Sequence, residues 1–389
     1  MGEKFDRGFK KFAVCLLSAL ARVKFRTRKN IIDRPHPGSL IVCNHSSVWD
    51  FANLIYALYP DSKLRFVATG VQFDSSRLKA WAFKHLEMIR KTQGASDLNC
   101  IKQIARSIKE GQSVVIYTAG MTSFDGSQAW STLPGTGKLI KLLKTDVYCA
   151  LTEGGYITKP RYTKVSARGR VDVTVKKIIT AEEAASLDAL ALQARVDAAT
   201  LFNDWDWQEK NKVPFKGINK QSGLLNLLHF CPNCGALYTL SERKGVIECL
   251  SCGLKVKRDA YGFLVPEGGS CPRRLDEWVS MQLGGIKSEL EGGELNYTAR
   301  AELQRQTKPG SPDFFPVCKG ELKMDAQYLR FSSGDGSFVW TLDAFQFFIL
   351  EDGVFMQISV PDGAYRFVFD DAKPIARWFF AHRLLAEAK

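Results

Sequence analysis

Apolar runs alternate with amphipathic stretches over the first half of the chain. Residues 39–44 read as a buried strand, 51–59 as a helix stopped at Pro60, and 64–69 as a strand. Residues 77–88 have helical periodicity and end near Arg90 and Lys91. Residues 97–110 form a strongly amphipathic helix, 113–117 a second buried strand, 138–144 a short helix and 147–152 another strand. Strands alternating with helices predict an α/β layer domain. Residues 164–177 carry valines in alternation and fit an edge strand or hairpin. Thr180 with Glu183 three residues later predicts a capping box opening one helix that runs to about Leu201. Residues 203–222 are polar, aromatic and irregular.

The pattern changes in the second half. Residues 223–265 hold two Cys-x-x-Cys pairs, and 273–307 read as an exposed helix or two with a Gly-rich break. A linker, Lys308-Pro-Gly-Ser-Pro312, follows. Strand signals then recur at 318–324, 327–332, 337–342, 344–350, 353–360 and 364–370, and Pro374 opens a final helix to about 388. Several strands closed by one helix predict a small barrel or sandwich.

Residues 12–21 are uncharged and apolar between Lys11 and Arg22. A spanning helix needs ~20 apolar residues, so this one is too short. Ala19-Leu20-Ala21 mimics a signal cleavage site, but five basic residues from Arg22 to Lys29 oppose translocation. On a helix, Phe5, Phe9, Phe12, Leu16, Leu20 and Val23 fall in one stripe, with Lys4, Arg7, Lys10, Lys11 and Arg22 pointing away. That arrangement suits an anionic membrane surface. The alternative is a terminal helix packed on its own domain.

The 389 residues are 45% hydrophobic and 24% charged, which excludes wholesale disorder and a polytopic membrane protein and suggests two or three domains. The formal net charge is +13. Residues 1–34 hold ten Lys or Arg against three acids, so +7 of it sits there. An anionic partner is implied, concentrated at the N-terminus.

Cys231-Pro-Asn-Cys234-Gly is followed after fourteen residues by Cys249-Leu-Ser-Cys252-Gly. Two such knuckles offer four thiolates, the donor set of a structural Zn2+ ribbon, and no position remains open for catalysis. The other six cysteines are scattered, which argues against a disulfide framework. Arg243, Lys244, Lys255, Lys257 and Arg258 keep a nucleic-acid or protein partner open for the ribbon, although nucleic acid is not expected.

Asn44-His45-Ser-Ser-Val-Trp-Asp50 sits where a strand gives way to a helix, the edge at which α/β sheets bind ligands. Residues five apart on a regular helix lie about 140° apart. His45 and Asp50 therefore meet only if His45 is in the turn and Asp50 in the first helical turn. Asp50 would then hold one imidazole nitrogen and leave the other as a general base. The alternative is that His45 caps the helix.

These residues resemble the first motif of the glycerolipid (1-acylglycerol-3-phosphate-type) acyltransferase family, Asn-His-x4-Asp after a buried strand. Met88-Ile-Arg-Lys91, with Ser96-Asp97 and the helix to Lys109, resembles the second block. Val114-Val-Ile-Tyr117 leads into the third, and Gly137-Lys-Leu-Ile-Lys-Leu-Leu-Lys144 with Cys149-Ala-Leu-Thr152 resembles the fourth. Trp207-Gln208-Glu-Lys-Asn211 and the stretch from Gly223 to Pro232 resemble the branch that adds a zinc ribbon and a C-terminal β domain. The resemblance implies an amphipathic membrane-interface helix (1–30), an acyltransferase domain (31–222), the ribbon (223–265), a helical linker (266–312) and a pleckstrin-homology-like β domain (313–389).

It also implies a peripheral or monotopic enzyme on the cytoplasmic face of a membrane. The donor would be acyl-CoA or acyl carrier protein and the acceptor a lysophospholipid or related alcohol. His45 would be the base and Asp50 its orienter, with Arg90, Lys91 or Lys138 at an acceptor phosphate and backbone amides near Gly120 at the oxyanion. One position departs. The family's third block reads Pro-Glu followed by Gly or Ala, with an Arg or a Tyr-Ser pair shortly after, whereas this chain has Thr118-Ala119-Gly120-Met121-Thr122-Ser123. Ala119 admits a second reading, a lipid-binding relative without the chemistry.

Overall fold

The computed structural model describes residues 2–60, 63–74, 76–92, 97–128, 132–133, 135–307, 313–334, 336–351, 354–371 and 375–387. Ser96, the 308–312 linker and Pro374 lie outside the described residues, as do the side chains of Lys4, Phe5 and Arg7.

The N-terminal domain runs in the order α1 (Gly2–Lys24), β1 (Arg28–Ile31), β2 (Leu40–Cys43), α2 (Asp50–Leu58), β3 (Leu64–Thr69), α3 (Gly70–Asp74), α4 (Arg77–His85), β4 (Ile89–Lys91) and α5 (Leu98–Lys109). It continues with β5 (Ser113–Tyr117), α6 (Thr136–Leu143), β6 (Val147–Glu153), α7 (Gly155–Thr158), β7 (Asp172–Ile179), α8 (Ala181–Ser186), α9 (Ala189–Thr200) and α10 (Asp204–Asn211). One seven-stranded sheet has the order β1-β7-β6-β2-β5-β3-β4. Its pairs are parallel except β6 with β7.

Alternation along β2 explains the layering. Ile41 and Cys43 join the cluster that α1 and α2 cover with Val14, Leu54, Ile55 and Leu58. Leu40 and Val42 join Ile104 of α5, Ile140 of α6, and Leu192 and Val196 of α9 on the other face. A strand buried on both faces reads as a continuous apolar run, as 40–43 does.

Helix α1 is packed along one side and exposed along the other. Val14, Ser18 and Ala21 face inward, so the helix packs on its own domain. Phe12, Leu16 and Val23 remain 65%, 57% and 64% exposed. Among the described residues, no helix is long and apolar enough to cross a membrane.

A four-stranded sheet, β8 (Leu240–Arg243), β9 (Val246–Cys249), β10 (Lys255–Arg258) and β11 (Leu264–Glu267), carries the cysteine module in the order β11-β10-β9-β8. Helix α11 (Leu275–Glu291) follows. The C-terminal sheet contains β12 (Tyr297–Gln306), β13 (Phe314–Met324), β14 (Tyr328–Ser333), β15 (Gly336–Thr341), β16 (Phe347–Glu351), β17 (Phe355–Val360) and β18 (Gly363–Phe369), closed by α12 (Ile375–Glu387). Its order is β15-β14-β13-β12-β18-β17-β16. One apolar core runs from Tyr156 and Trp205 through Leu254 and Trp278 to Phe331 and Trp378. The three regions therefore share one interior.

Four expectations are corrected. Residues 297–306, expected helical within a 266–312 linker, form β12, which pairs with both β13 and β18. Tyr297, Ala301 and Leu303 are buried on one face, a period of two that the helix-favouring composition hides. The strand in 164–177 is not at an edge, because β1 pairs outside it. The single helix expected over 180–201 is two helices. The Thr180–Glu183 capping box is present, but Asp188 starts a second helix by accepting the Ala191 N–H at 2.7 Å. Residues 204–211, expected irregular, form α10, capped by the Asn203 side chain.

Candidate active site

β2 ends at Cys43 in the middle of the sheet. The Asn44 side chain then extends the strand pairing by one step. Its Nδ2 donates to the Thr152 carbonyl at 2.7 Å and its Oδ1 accepts the Thr152 N–H at 2.8 Å. Asn44 therefore acts as scaffold, and it delivers His45 to the carboxyl edge of the sheet.

His45 occupies the turn and Asp50 opens α2, the arrangement that spacing alone allowed. His45 Nδ1 lies 2.9 Å from Asp50 Oδ2. The same oxygen accepts the Ser46 N–H at 2.7 Å and the Ser47 N–H at 2.9 Å, while Ser46 Oγ donates to Oδ1 at 3.1 Å. Asp50 is 1% exposed and the His45 side chain 22%. The carboxylate is sealed, and the ring can be reached. A carboxylate can only accept, so the shared proton sits on Nδ1 and Nε2 is left as an acceptor.

One face of the imidazole stacks on Tyr117, the last residue of β5, with centroids 4.3 Å apart and 24° between planes. The Tyr117 hydroxyl is buried with no hydrogen-bond partner among the described residues. Burial first, then Cys43 and Asp50, push its phenol well above the usual range. Burial likewise pushes the Cys43 thiol up, with Cys149 and Asp50 adding to it, so Cys43 is an inert strand thiol.

The segment after β5 wraps this edge. Thr118 donates its N–H and hydroxyl to the Cys43 carbonyl at 3.1 and 3.2 Å, and Ser123 N–H donates to the His45 carbonyl at 2.8 Å. Ala119 is half-buried and offers no carboxylate. Gly120 sits at φ +72°, and its N–H points to the Tyr117 carbonyl at 3.3 Å, which gives that amide a turn-forming role. Arg161 approaches the same segment from beyond α7. It donates to the Thr122 carbonyl at 3.3 Å, lies over the Phe124 ring at 4.2 Å and donates to the Leu350 carbonyl of the C-terminal sheet at 2.9 Å.

Arg90 and Lys91 lie on β4, three strands from β2 along the same carboxyl edge, about 14 Å at ordinary strand spacing. The Arg90 guanidinium lies over Phe73 at 5.6 Å. Lys138 is exposed on α6. Arg90 and Lys91 thus share the carboxyl edge of the sheet with His45, three strands away.

Sequence reading did not find Tyr117, Gly155, Arg161 or Asp204. Gly155 lies two residues past the end of β6, and a Cβ there would lie 2.3 Å from Ser46 Oγ and 3.1 Å from Asp50 Oδ1. The Gly-Gly doublet at 154–155 was the available signal for that close approach.

The four cysteines converge. Cys231 and Cys252 Sγ are 3.7 Å apart, Cys234 and Cys249 Sγ 3.8 Å, and all four sulfurs lie within 4.8 Å of one another. A metal with four sulfurs at about 2.3 Å gives tetrahedron edges of about 3.8 Å, so the set fits a metal ion. Gly235 and Gly253 follow the two knuckles at φ +73° and +76°. Asn233 Nδ2 donates to Cys252 Sγ at 3.5 Å, an outer contact of the kind that orients a thiolate ligand.

Residues 22–151, a third of the chain, match the family model Acyltransferase. Over that stretch the α/β layers described above are similar to an acyltransferase domain. No curated protein matches the chain. Among solved structures, the 1-acyl-sn-glycerophosphate (LPA) acyltransferase PlsC from Thermotoga maritima is similar at 13% identity and TM-score 0.39, over 49% of this chain and 78% of that one. The N-terminal PH domain of human ARAP2 is similar at 10% identity and TM-score 0.19, over 23% and 80%. The C-terminal domain of an unknown protein from Leishmania infantum is similar at 13% identity and TM-score 0.18, over 27% and 98%. None of the three likenesses is strong enough to carry a functional argument.

Proposed function

We propose that the chain moves a fatty acyl group from acyl-CoA or acyl carrier protein to the hydroxyl of a lysophospholipid or related acceptor, working peripherally on a cytoplasmic membrane face. The observation that carries this reading is the 2.9 Å contact of His45 Nδ1 with the sealed Asp50 carboxylate, beside a reachable ring. His45 Nε2 takes the proton of the acceptor hydroxyl. The oxygen attacks the thioester carbonyl carbon, and the tetrahedral intermediate collapses with cleavage of the C–S bond. The leaving thiolate takes the proton back from the imidazolium. Asp50 stabilises that cation and fixes its tautomer. Arg90 and Lys91 supply positive charge for an acceptor phosphate approaching along the carboxyl edge.

The cysteine set holds Zn2+ as a structural ion, and the exposed face of α1 rests on an anionic bilayer. The C-terminal β domain is a pleckstrin-homology-like unit joined to the rest through the common core. A nucleic-acid role for the ribbon is less supported, because Lys255 and Lys257 pair with Glu248 and Glu267 and Arg258 donates to Gln221.

The test is thiol release from palmitoyl-CoA on anionic vesicles with a panel of lysophospholipids, then with acyl carrier protein as donor. Acceptor-dependent release that His45→Ala and Asp50→Asn abolish is the expected result. Absence of release with either donor, from folded protein, would favour the second reading. That reading is a lipid-binding relative, supported by Ala119 and by the turn-forming Gly120 amide.

A further inference from the structure

We propose that Asp204 is a positioning residue of the His45–Asp50 site, holding the turn at residues 154–156 against the flank of the Asp50 carboxylate. The kinetic consequence rests on the acyl-transfer reading, whereas the positioning itself does not.

Asp204 is fully buried at the start of α10. Its Oδ2 accepts the Tyr156 N–H at 2.8 Å. Its own N–H donates to the Gly126 carbonyl at 2.8 Å. One residue thus ties together α10, the turn after β6 and the segment after β5. Those last two are the segments that border Asp50 and His45.

The turn has no slack on the site side. A Cβ on Gly155 would lie 2.3 Å from Ser46 Oγ, the group that donates to Asp50 Oδ1, and 3.1 Å from Asp50 Oδ1 itself. On its outer side the turn is gripped by α10 again. Gly154 has φ +77°, and a Cβ there would lie 2.8 Å from the Trp207 ring. Helix α10 therefore clamps the turn twice, by the Tyr156 N–H donated to Asp204 and by packing from Trp207.

Stabilising α10 alone does not require this placement. Asn203 already caps the helix, accepting the Trp205 N–H at 2.8 Å. A first-turn acid that served only the helix dipole would face water. Asp204 instead turns inward, and its Oδ1 is buried with no hydrogen-bond partner among the described residues. Burial, opposed by the nearby backbone amides of Gly154 and Tyr156, pushes its carboxyl well above the usual carboxylate range, and the Asp50 charge adds to that push. Without Asp204, the buried Tyr156 amide loses its acceptor and the turn relaxes away from Asp50. Asp50 then loses the wall that fixes Ser46 and sets its own position against His45.

The experiment uses the full chain with 15N-labelled histidine. The chain has five histidines, and the His45 imidazole signal is assigned by its loss in His45→Ala. Tautomer and titration of that signal are recorded beside kcat and KM for thiol release from palmitoyl-CoA. In wild type the ring is the Nδ1–H tautomer. Asp204→Ala is expected to mix the tautomers and lower kcat about 100-fold with little change in KM. Asp204→Asn keeps an oxygen for the Tyr156 amide and restores both readouts. Gly155→Ala, which acts from the opposite side of the turn, reproduces the Asp204→Ala signature.

A folded Asp204→Ala with the wild-type His45 signal and kcat overturns the proposal. If Asp204→Ala does not fold, Gly155→Ala decides, and a wild-type His45 signal there overturns it equally. If wild type transfers no acyl group to any acceptor, the functional reading fails while the imidazole spectra still judge Asp204.

Discussion

Asn44 and Thr152 exchange two hydrogen bonds, 2.7 and 2.8 Å long, between a side-chain amide and a strand backbone. The pair continues the β2–β6 ladder one residue past the point where β2 must leave the sheet to present His45. Both residues are buried, so neither bond has water as a substitute. Asn44→Ala leaves a buried N–H and a buried carbonyl unpaired, at a cost of about 2–4 kcal/mol. Urea unfolding reads that loss directly. Asn44→Asp keeps the acceptor but sets a buried carboxylate oxygen against the Thr152 carbonyl, so at neutral pH its loss should be at least that of Asn44→Ala. A folded Asn44→Ala as stable as wild type would show that the exchange does not support the turn.

Asp125 ties stability to pH. Burial pushes its carboxyl up to about 6, although Ser127 donates its N–H and hydroxyl to it, each at 2.9 Å. The ordinary value is near 3.8. Between these values the native state holds a proton that the unfolded chain releases, so this group's contribution falls as pH rises from about 4 to 6 and stays unfavourable above 6. Asp125→Asn removes the burden and keeps one oxygen for Ser127. It should stabilise the protein at pH 7.5 by up to about 3 kcal/mol and by little at pH 4. Parallel urea titrations at the two pH values check this. A variant that gains equally at both, or loses at pH 7.5, contradicts the assigned cause.

Much of this site was legible because its chemistry is local in sequence. Asn44, His45 and Asp50 lie within one turn, and the paired cysteines lie on two short knuckles. Tyr117, Gly155 and Asp204 were not legible, since strands β5 and β6 and helix α10 bring them toward His45 from far along the chain and no spacing rule connects them. β12 was hidden for a different reason. Its Ala, Arg, Glu, Leu and Gln content favours helix, and only pairing with β13 and β18 overrides that propensity. Helix α10 was hidden by its polarity, because Asp204 and Gln208 are buried polar groups whose partners lie in other segments.

The cysteine set predicts a stability that depends on metal. Cys231 and Cys249 are buried in the core that also holds Tyr156, Trp205 and Trp278. Losing the ion would leave four unpaired thiols beside that core and free the knuckles. Purified protein should carry one zinc per chain, and a strong chelator should lower the unfolding temperature by several degrees or more. Cys249→Ser should lose the zinc and the same stability without chelator. Protein that is metal-free as purified, and indifferent to chelator, would remove the ribbon from the account.

The exposed face of α1 predicts how the site meets its acceptor. Phe12, Leu16 and Val23 project outward, while Val14 and Ala21 hold the helix to α2. Changing the first three to Ser therefore leaves the internal packing intact. Each would bury about 1–3 kcal/mol of apolar surface in a bilayer interface. The triple variant should bind anionic vesicles at least about tenfold more weakly in sedimentation. Its urea midpoint should stay that of wild type, and its thiol release should fall on vesicles but not with a detergent-dispersed acceptor. Lys11 and Arg22 are exposed on the same helix, so wild-type binding should also weaken as salt rises. Equal vesicle binding by the triple variant and wild type would locate the membrane contact elsewhere and return α1 to a purely structural role.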